Sequence, residues 1–236
     1  GQWQLEEQTA PVHAPLFVSP AARQAWANVL AVTSTVQLSA LNGTTGLRLS
    51  GNGTDTKTGF SVSNAGDVNG DGFADLLIGA YDAMVSGNRT GASYVVFGKT
   101  SGFASNLNLS ELDGTNGFLL AGESGGDRSG FSVSSAGDVN GDGIADMIAG
   151  ARSASSYGAQ YSGASYVVFG STSSFASRLD LSALDGTAGF KLTGVDGSDN
   201  SGFAVSGAGD VNGDGFGGLI IGAPGANSAT GASYLV

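Results

Sequence analysis

The chain repeats itself, and the period of the repeat decides most of what it can fold into. Gly59-Phe60-Ser61-Val62 returns as Gly130-Phe131-Ser132-Val133 and as Gly202-Phe203-Ala204-Val205, at offsets of 71 and 72 residues. Asp67-Val68-Asn69-Gly70-Asp71-Gly72 returns from Asp138 and from Asp210 at the same offsets. Gly91-Ala92-Ser93-Tyr94 returns at Gly163 and Gly231, and the Leu38-Ser39-Ala40-Leu41 pattern at Leu109 and Leu181. Landmarks in one order, three times over, define tandem units rather than one irregular domain. The units span residues 38–108, 109–180 and 181–236, after a leader over residues 1–37.

Each unit reads as four short strands. The first lies near Leu47-Arg48-Leu49, the second over Phe60-Ser61-Val62-Ser63, with alternating apolar and small polar residues. The third, Leu76-Leu77-Ile78, is a short apolar run suited to a strand buried on both faces. The fourth is Ser93-Tyr94-Val95-Val96-Phe97. Tandem four-stranded units are blades of a β-propeller, so the expected class is all-β. Closed propellers use about 4–8 blades, and three units fall short of that. The third also stops at Val236, inside its fourth strand. The expectation is a partial propeller: part of a larger protein, or a ring completed by other copies or segments.

Composition follows from this organisation. Glycine supplies 41 of 236 residues, roughly 17% against a usual ~7%, because each unit reuses the same tight turns. The chain has no cysteine, 20 acidic and 9 basic residues, and a formal charge of −11. That balance disfavours nucleic-acid binding through a basic face, and no apolar run approaches the ~20 residues of a membrane span. The leader holds three of the four prolines, both tryptophans and the single histidine, His13. Ser19-Pro20 reads as an N-cap with proline in the first turn, followed by a short amphipathic helix over residues 20–31.

The chemistry lies in the acidic motif. Asp67, Asn69, Asp71 and Asp75 occupy positions 1, 3, 5 and 9 of a loop, and Asp138, Asn140, Asp142 and Asp146 repeat them. Oxygen ligands at that spacing suit a hard cation the size of Ca²⁺, with the backbone carbonyl of position 7 (Phe73, Ile144) adding another. Glycine at position 6 allows the sharp turn. An EF-hand would need a Glu at position 12, where Ile78 and Ala149 stand, and a following helix. A calcium-bound β-hairpin loop fits better. The third copy keeps Asp210, Asn212, Asp214 and the Phe216 carbonyl but has Gly218 at position 9, so the expectation is two strong sites and a weaker third. Gly213-x-Gly215-x-x-Gly218 also matches a dinucleotide fingerprint formally. It follows an acidic turn rather than a strand, and precedes the apolar run Leu219-Ile220-Ile221 rather than a helix.

Taken in order, Gly-Phe-Ser-Val, Gly-Asp-Val-Asn-Gly-Asp-Gly, Leu-Ile-Gly-Ala and Gly-Ala-Ser-Tyr-Val-Val-Phe-Gly resemble FG-GAP repeats over about residues 38–236. Such repeats build the propellers of integrin α-subunits and of large bacterial proteins resembling them, and the period here is similar to the bacterial version. The resemblance implies a seven-bladed propeller in a complete protein, Ca²⁺ in the hairpin loops, and an extracellular or cell-surface role in adhesion or protein recognition. It carries Asp67, Asn69, Asp71, Asp75 and their repeats over as ligands, and leaves Gly218 and the leader outside.

The remaining residues carry less. Asp127 and Asp199 occupy equivalent turns and read as caps, with metal or ligand contact the alternative. Tyr94, Tyr166 and Tyr234 are expected to pack between blades. Arg89, Arg128 and Arg152 are scattered along the chain and suggest no basic patch. Nothing supplies a nucleophile–base pair, so the expected role is recognition of a protein ligand rather than catalysis. The competing role is a purely structural, calcium-stiffened spacer in a surface or secreted protein. The unlike loops at residues 82–90, 153–162 and 224–230 favour recognition.

Overall fold

A computed structural model describes residues 37–51, 53, 55–156 and 158–236. The helix expected over residues 20–31, and all of the leader but its last residue, lie outside them. The strands, in chain order, are β1 (Arg48–Ser50), β2 (Ser61–Gly66), β3 (Asp75–Ala80), β4 (Met84–Val85), β5 (Asn88–Arg89), β6 (Ala92–Val96), β7 (Asn106–Asn108) and β8 (Gly117–Ala121). They continue with β9 (Ser129–Gly137), β10 (Asp146–Ala151), β11 (Ala164–Val168), β12 (Arg178–Asp180), β13 (Gly189–Thr193), β14 (Ala204–Gly209), β15 (Gly218–Ala223) and β16 (Ala232–Leu235).

The described chain forms two compact units. One holds residues 37–48 and 102–107. It opens with an exposed 3₁₀ turn, Leu38–Ala40. The Asn42 carboxamide oxygen then accepts from the Thr44 and Thr45 amides, both at 3.1 Å, and makes an Asx turn. Arg48 N donates to Ser105 O at 2.9 Å. The same turn chemistry recurs inside the other unit, where Asp113 accepts from Thr115 N and Asp185 from Thr187 N.

The larger unit, residues 49–101 and 108–236, holds three main sheets beside a small two-stranded hairpin, β4–β5. Strands β2, β3, β6 and β8 run antiparallel in that order, and β12 adds to β8 in parallel. The second sheet is β9, β10, β11 and β13, all antiparallel, and the third is β14, β15 and β16. Each four-stranded set takes three strands from one sequence repeat and its fourth from the next. Tyr94 on β6 faces Leu119 on β8, and Tyr166 on β11 faces Lys191 on β13. Sheet and sequence repeat are therefore out of phase by one strand, which ties each repeat to its successor through a backbone ladder.

The period of two explains the core. All six residues of β10 are buried. Met147 and Ala149 join a cluster with Leu77, Val95, Phe118 and Tyr166, which packs the first sheet on the second. Ile148, one position on, points the other way and meets Leu219 and Ile221 of the third sheet. Successive strand residues face opposite sides, so the central sheet is apolar on both. Each fully buried side chain of this size contributes about 1.5–3 kcal/mol.

The sheets approach closely at glycine. A β-carbon on Gly79 would stand 2.1 Å from Gly130 O, and one on Gly150 2.1 Å from Gly202 O. Beside these points Ser61 Oγ donates to Gly130 O and Ser132 Oγ to Gly202 O, each at 2.9 Å. The second strand of each repeat is longer than the sequence suggested, because its ladder continues through a register shift, as at Asn64/Gly66, to the edge of the acidic loop. The first repeat also adds a hairpin, β4–β5, around left-handed Ser86 and Gly87.

Candidate functional site

The three acidic segments are the β2–β3, β9–β10 and β14–β15 connections. Each is wired by its own side chains onto its own backbone. In the first, Asp67 Oδ1 accepts from Asp71 N at 3.0 Å and Oδ2 from Gly72 N at 2.8 Å. Asn69 Oδ1 also accepts from Asp71 N, and Asp71 Oδ1 accepts from Phe73 N at 2.8 Å. Gly72, at φ +87°, takes the left-handed conformation that lets the chain double back. The second loop repeats this set through Asp138, Asn140, Asp142 and Ile144 N. The third repeats it through Asp210, Asn212, Asp214 and Phe216 N. The third loop keeps this form with Gly218 at position 9, so the position-9 carboxylate does not set the conformation.

That carboxylate does something else. Asp75 is fully buried. Its Oδ2 accepts from Val68 N at 2.9 Å and its Oδ1 from Gly98 N at 2.8 Å. Asp146 makes the equivalent bonds to Val139 N and Gly170 N, at 2.7 and 2.8 Å. Position 9 thus clasps the start of the loop to the end of the fourth strand of its repeat. Burial pushes Asp75 up to about 6. The two N–H donors oppose that rise, while the neighbouring charges of Asp71 and Asp67 add to it. Asp146 is raised by burial in the same way, with Asp142 adding to it. Asp214, in the open third loop, is lowered by the Phe216 N–H and the Asn212 side chain.

The donor set is all oxygen, which suits a hard cation. The carboxylate oxygens accept from backbone N–H groups or, at Asp71, Asp142 and Asp214 Oδ2, from the neighbouring Asn side chain, and they retain further lone-pair capacity. Among the described residues no three His, Cys, Asp or Glu side chains gather closely enough to hold a metal unaided. An ion in these loops would therefore also depend on the Asn oxygen and the position-7 carbonyl.

Consecutive loops are also joined. Ala145 N donates to Asp67 O at 3.2 Å, and Gly217 N to Asp138 O at 2.7 Å. The Phe216 ring lies over Gly141, where a β-carbon would come within 2.5 Å of Cε1, and Ile144 lies over Gly70. Position 7, singled out for its carbonyl, thus uses its side chain to cover the preceding loop. The repeat makes this legible only once neighbouring blades are known to stack in register.

The lesser candidates also find places. Asp127 and Asp199 are buried caps, accepting from Ser124 N at 3.2 Å and Asp196 N at 2.9 Å. Tyr166 is fully buried and donates to Glu123 Oε2 at 2.7 Å. Tyr94 is nearly buried and Tyr234 is exposed. The arginines overturn the expectation of scatter, because Arg89, Arg128 and Arg152 line one groove. Arg128 and Arg152, 24 positions apart, meet because they flank the paired ends of β9 and β10, and Arg89 joins them from the preceding repeat.

A family model described as FG-GAP repeat matches residues 58–96 and 129–168. Among curated proteins, phosphatidylinositol-glycan-specific phospholipase D of Bos taurus is 33% identical over 170 residues, covering 72% of this chain and 19% of that protein. Integrin alpha-PS5 of Drosophila melanogaster is 32% identical over 175 residues, covering 72% of this chain and 15% of that protein. The chain spans less than a fifth of the length of either relative. The chain thus carries FG-GAP repeats and is similar to an integrin alpha subunit, and its sheets are of the β-propeller blade type.

Proposed function

We propose that the chain is a Ca²⁺-stabilised recognition module, acting outside the cell or at its surface in adhesion or protein binding. The observation that carries the calcium reading is the threefold recurrence of one oxygen-donor loop with one hydrogen-bond wiring. Asp67, Asn69, Asp71 and the Phe73 carbonyl would hold the first ion. Asp138, Asn140, Asp142 and the Ile144 carbonyl would hold the second, with Asp75 and Asp146 closing the respective sites. Asp210, Asn212, Asp214 and the Phe216 carbonyl would hold a third, weaker ion. The ion would neutralise carboxylates that otherwise raise one another's proton affinity, and it would stiffen the hairpin.

Support for recognition comes from the opposite connections. They differ in form as well as sequence: a two-stranded hairpin over β4–β5, a bridge between Ser156 and Ala159, and a short turn at Ala226–Ala229. A purely structural, calcium-stiffened spacer is the second reading, favoured by the backbone bonds that chain each loop to the next. We read the module as a binding element and not a catalyst. The catalytic name of the bovine relative belongs to a protein of which this chain matches 19%. Among the described residues no helix is long and apolar enough to cross a membrane.

The test is thermal unfolding in Ca²⁺ against chelator. A ligand bound only by the folded state adds RT ln(1 + [L]/Kd), about 2.7 kcal/mol per site at 100 Kd. The expected result is a clear rise in midpoint with Ca²⁺. An unchanged midpoint would refute the calcium reading.

A further inference from the structure

A groove of about 630 Å³ opens among the connections that follow β3, β8 and β10, lined in part by Asp82, Arg89, Arg128, Arg152 and Tyr161. The chain as a whole is strongly acidic, yet three of its nine basic residues converge here. Their charges are not equally spent. Arg89 lies 3.4 Å from Asp82 and pairs with it. The other acid of the lining, Asp127, is buried and caps its own turn through Ser124 N. Arg128 and Arg152 make no ion pair among the described residues.

Both guanidiniums instead lie against aromatic rings. Arg152 Cζ sits 4.2 Å from the Phe131 centroid and 5.5 Å from that of Phe203, and Arg128 Cζ sits 6.0 Å from that of Tyr81. These rings belong to one ladder. Phe60 meets Tyr81 at 4.6 Å and Phe131 at 4.9 Å, and Phe131 meets Phe203 at 5.2 Å. Stacking on rings fixes the plane of a guanidinium and leaves its N–H edge to pair with a carboxylate. Arg152 Nε is buried with no hydrogen-bond partner among the described residues. Burial, and then the like charge of Arg128, hold the Arg152 guanidinium below its ordinary proton affinity. Two uncompensated cations this close favour an anion between them.

We propose that this groove binds a carboxylate-bearing segment of a polypeptide partner, with Arg128 and Arg152 on the carboxylate and the Phe60–Phe131–Phe203 ladder on an adjoining apolar side chain. The half-exposed rings Phe60 and Phe203 favour a peptide over a sulfated sugar, which would offer them little. The proposal deepens the recognition reading and rests on it.

The repeat itself supplies variants that should fold. Asn200 holds the Arg128 position in the third repeat at the same left-handed φ, 54° against 60°, and Tyr81 holds the Arg152 position in the first. The probes are the acetylated amides Glu-Phe-Glu and Gln-Phe-Gln, inorganic sulfate and a heparin hexasaccharide, titrated calorimetrically onto the full chain in Ca²⁺. The expected result is that Glu-Phe-Glu binds at least tenfold tighter than Gln-Phe-Gln. Arg128→Asn and Arg152→Tyr should each remove most of that difference, whereas Arg178→Gln, outside the groove lining, should keep it. Equal binding of the two peptides, no binding of either, stronger binding of sulfate or the hexasaccharide, or an acidic preference that survives in both groove variants would each overturn the proposal. A midpoint that still rises with Ca²⁺ would then show that the groove reading alone had failed.

Discussion

At the residue scale, position 9 of the acidic loop separates two jobs that one carboxylate can hold. Asp146 satisfies two backbone N–H groups from inside the protein. Leaving such donors bare costs roughly 1–3 kcal/mol each. Asp146→Ala should therefore lose about 2–4 kcal/mol in urea unfolding even in chelator, where no ion contributes. A loss seen only with Ca²⁺ would mean that ligation is the whole of its role. Gly218→Asp runs the experiment in reverse. Its β-carbon would lie 3.0 Å from Gly209 O, close but at the edge of tolerance, and its carboxylate could reach the Val211 amide as Asp75 reaches Val68. The third loop should then bind Ca²⁺ more tightly in calorimetry, with an affinity approaching that of the first two.

At the scale of elements, neighbouring strands are held by contacts that a side chain would obstruct. Gly150→Ala places a methyl group against a carbonyl of the next sheet. Overpacking of this kind costs about 1–3 kcal/mol, and the urea midpoint should fall accordingly. Ser132→Ala, which removes only the neighbouring hydroxyl bond, should cost about 0.5–1.5 kcal/mol. A polar tie also links β11 to β13. Glu123 accepts from Tyr166 Oη at 2.7 Å and from Lys191 Nζ at 2.6 Å. Burial works to raise the Glu123 carboxyl, but the Lys191 and Tyr166 bonds outweigh it and hold it low. A carboxyl lower in the folded than in the unfolded chain stabilises the fold above its unfolded value, and that contribution is lost as pH falls through the folded one. Glu123→Gln should thus be less stable than the parent at neutral pH, with the gap closing as pH falls below the usual carboxylate range.

At the scale of the whole molecule, the proposed calcium reading ties acidity to metal. Eight of the 20 acidic residues sit at the proposed ligand positions of the three loops, and three divalent ions would offset about half of the formal charge of −11. Repulsion between exposed charges is screened by salt, with a Debye length of about 3 Å at 1 M. In chelator, raising sodium chloride from about 0.05 to 1 M should lift the thermal midpoint. In Ca²⁺ the same change should lift it less, because the ions already do the neutralising.

The sequence by itself determined whatever closes over a few residues. The acidic loops, their glycine turns and the Asp-Gly-Thr turns are built from hydrogen bonds spanning two to five positions. Asp67, Asn69 and Asp71 therefore announced their loop before any fold was known. The apolar run Leu76-Leu77-Ile78 and the segment Ser93-Tyr94-Val95-Val96-Phe97 likewise placed strands within a residue or two. Tertiary structure alone decided what depends on pairing distant strands and on stacking one repeat on the next. It took the fourth strand of each sheet from the following repeat, turned Asp75 towards Gly98, and laid Phe216 over Gly141. It also drew Arg128 and Arg152 into one groove although no basic run joins them. The reason is range: these partners lie 23 to 75 residues apart, and only strand pairing and the stacking of sheets bring them within reach.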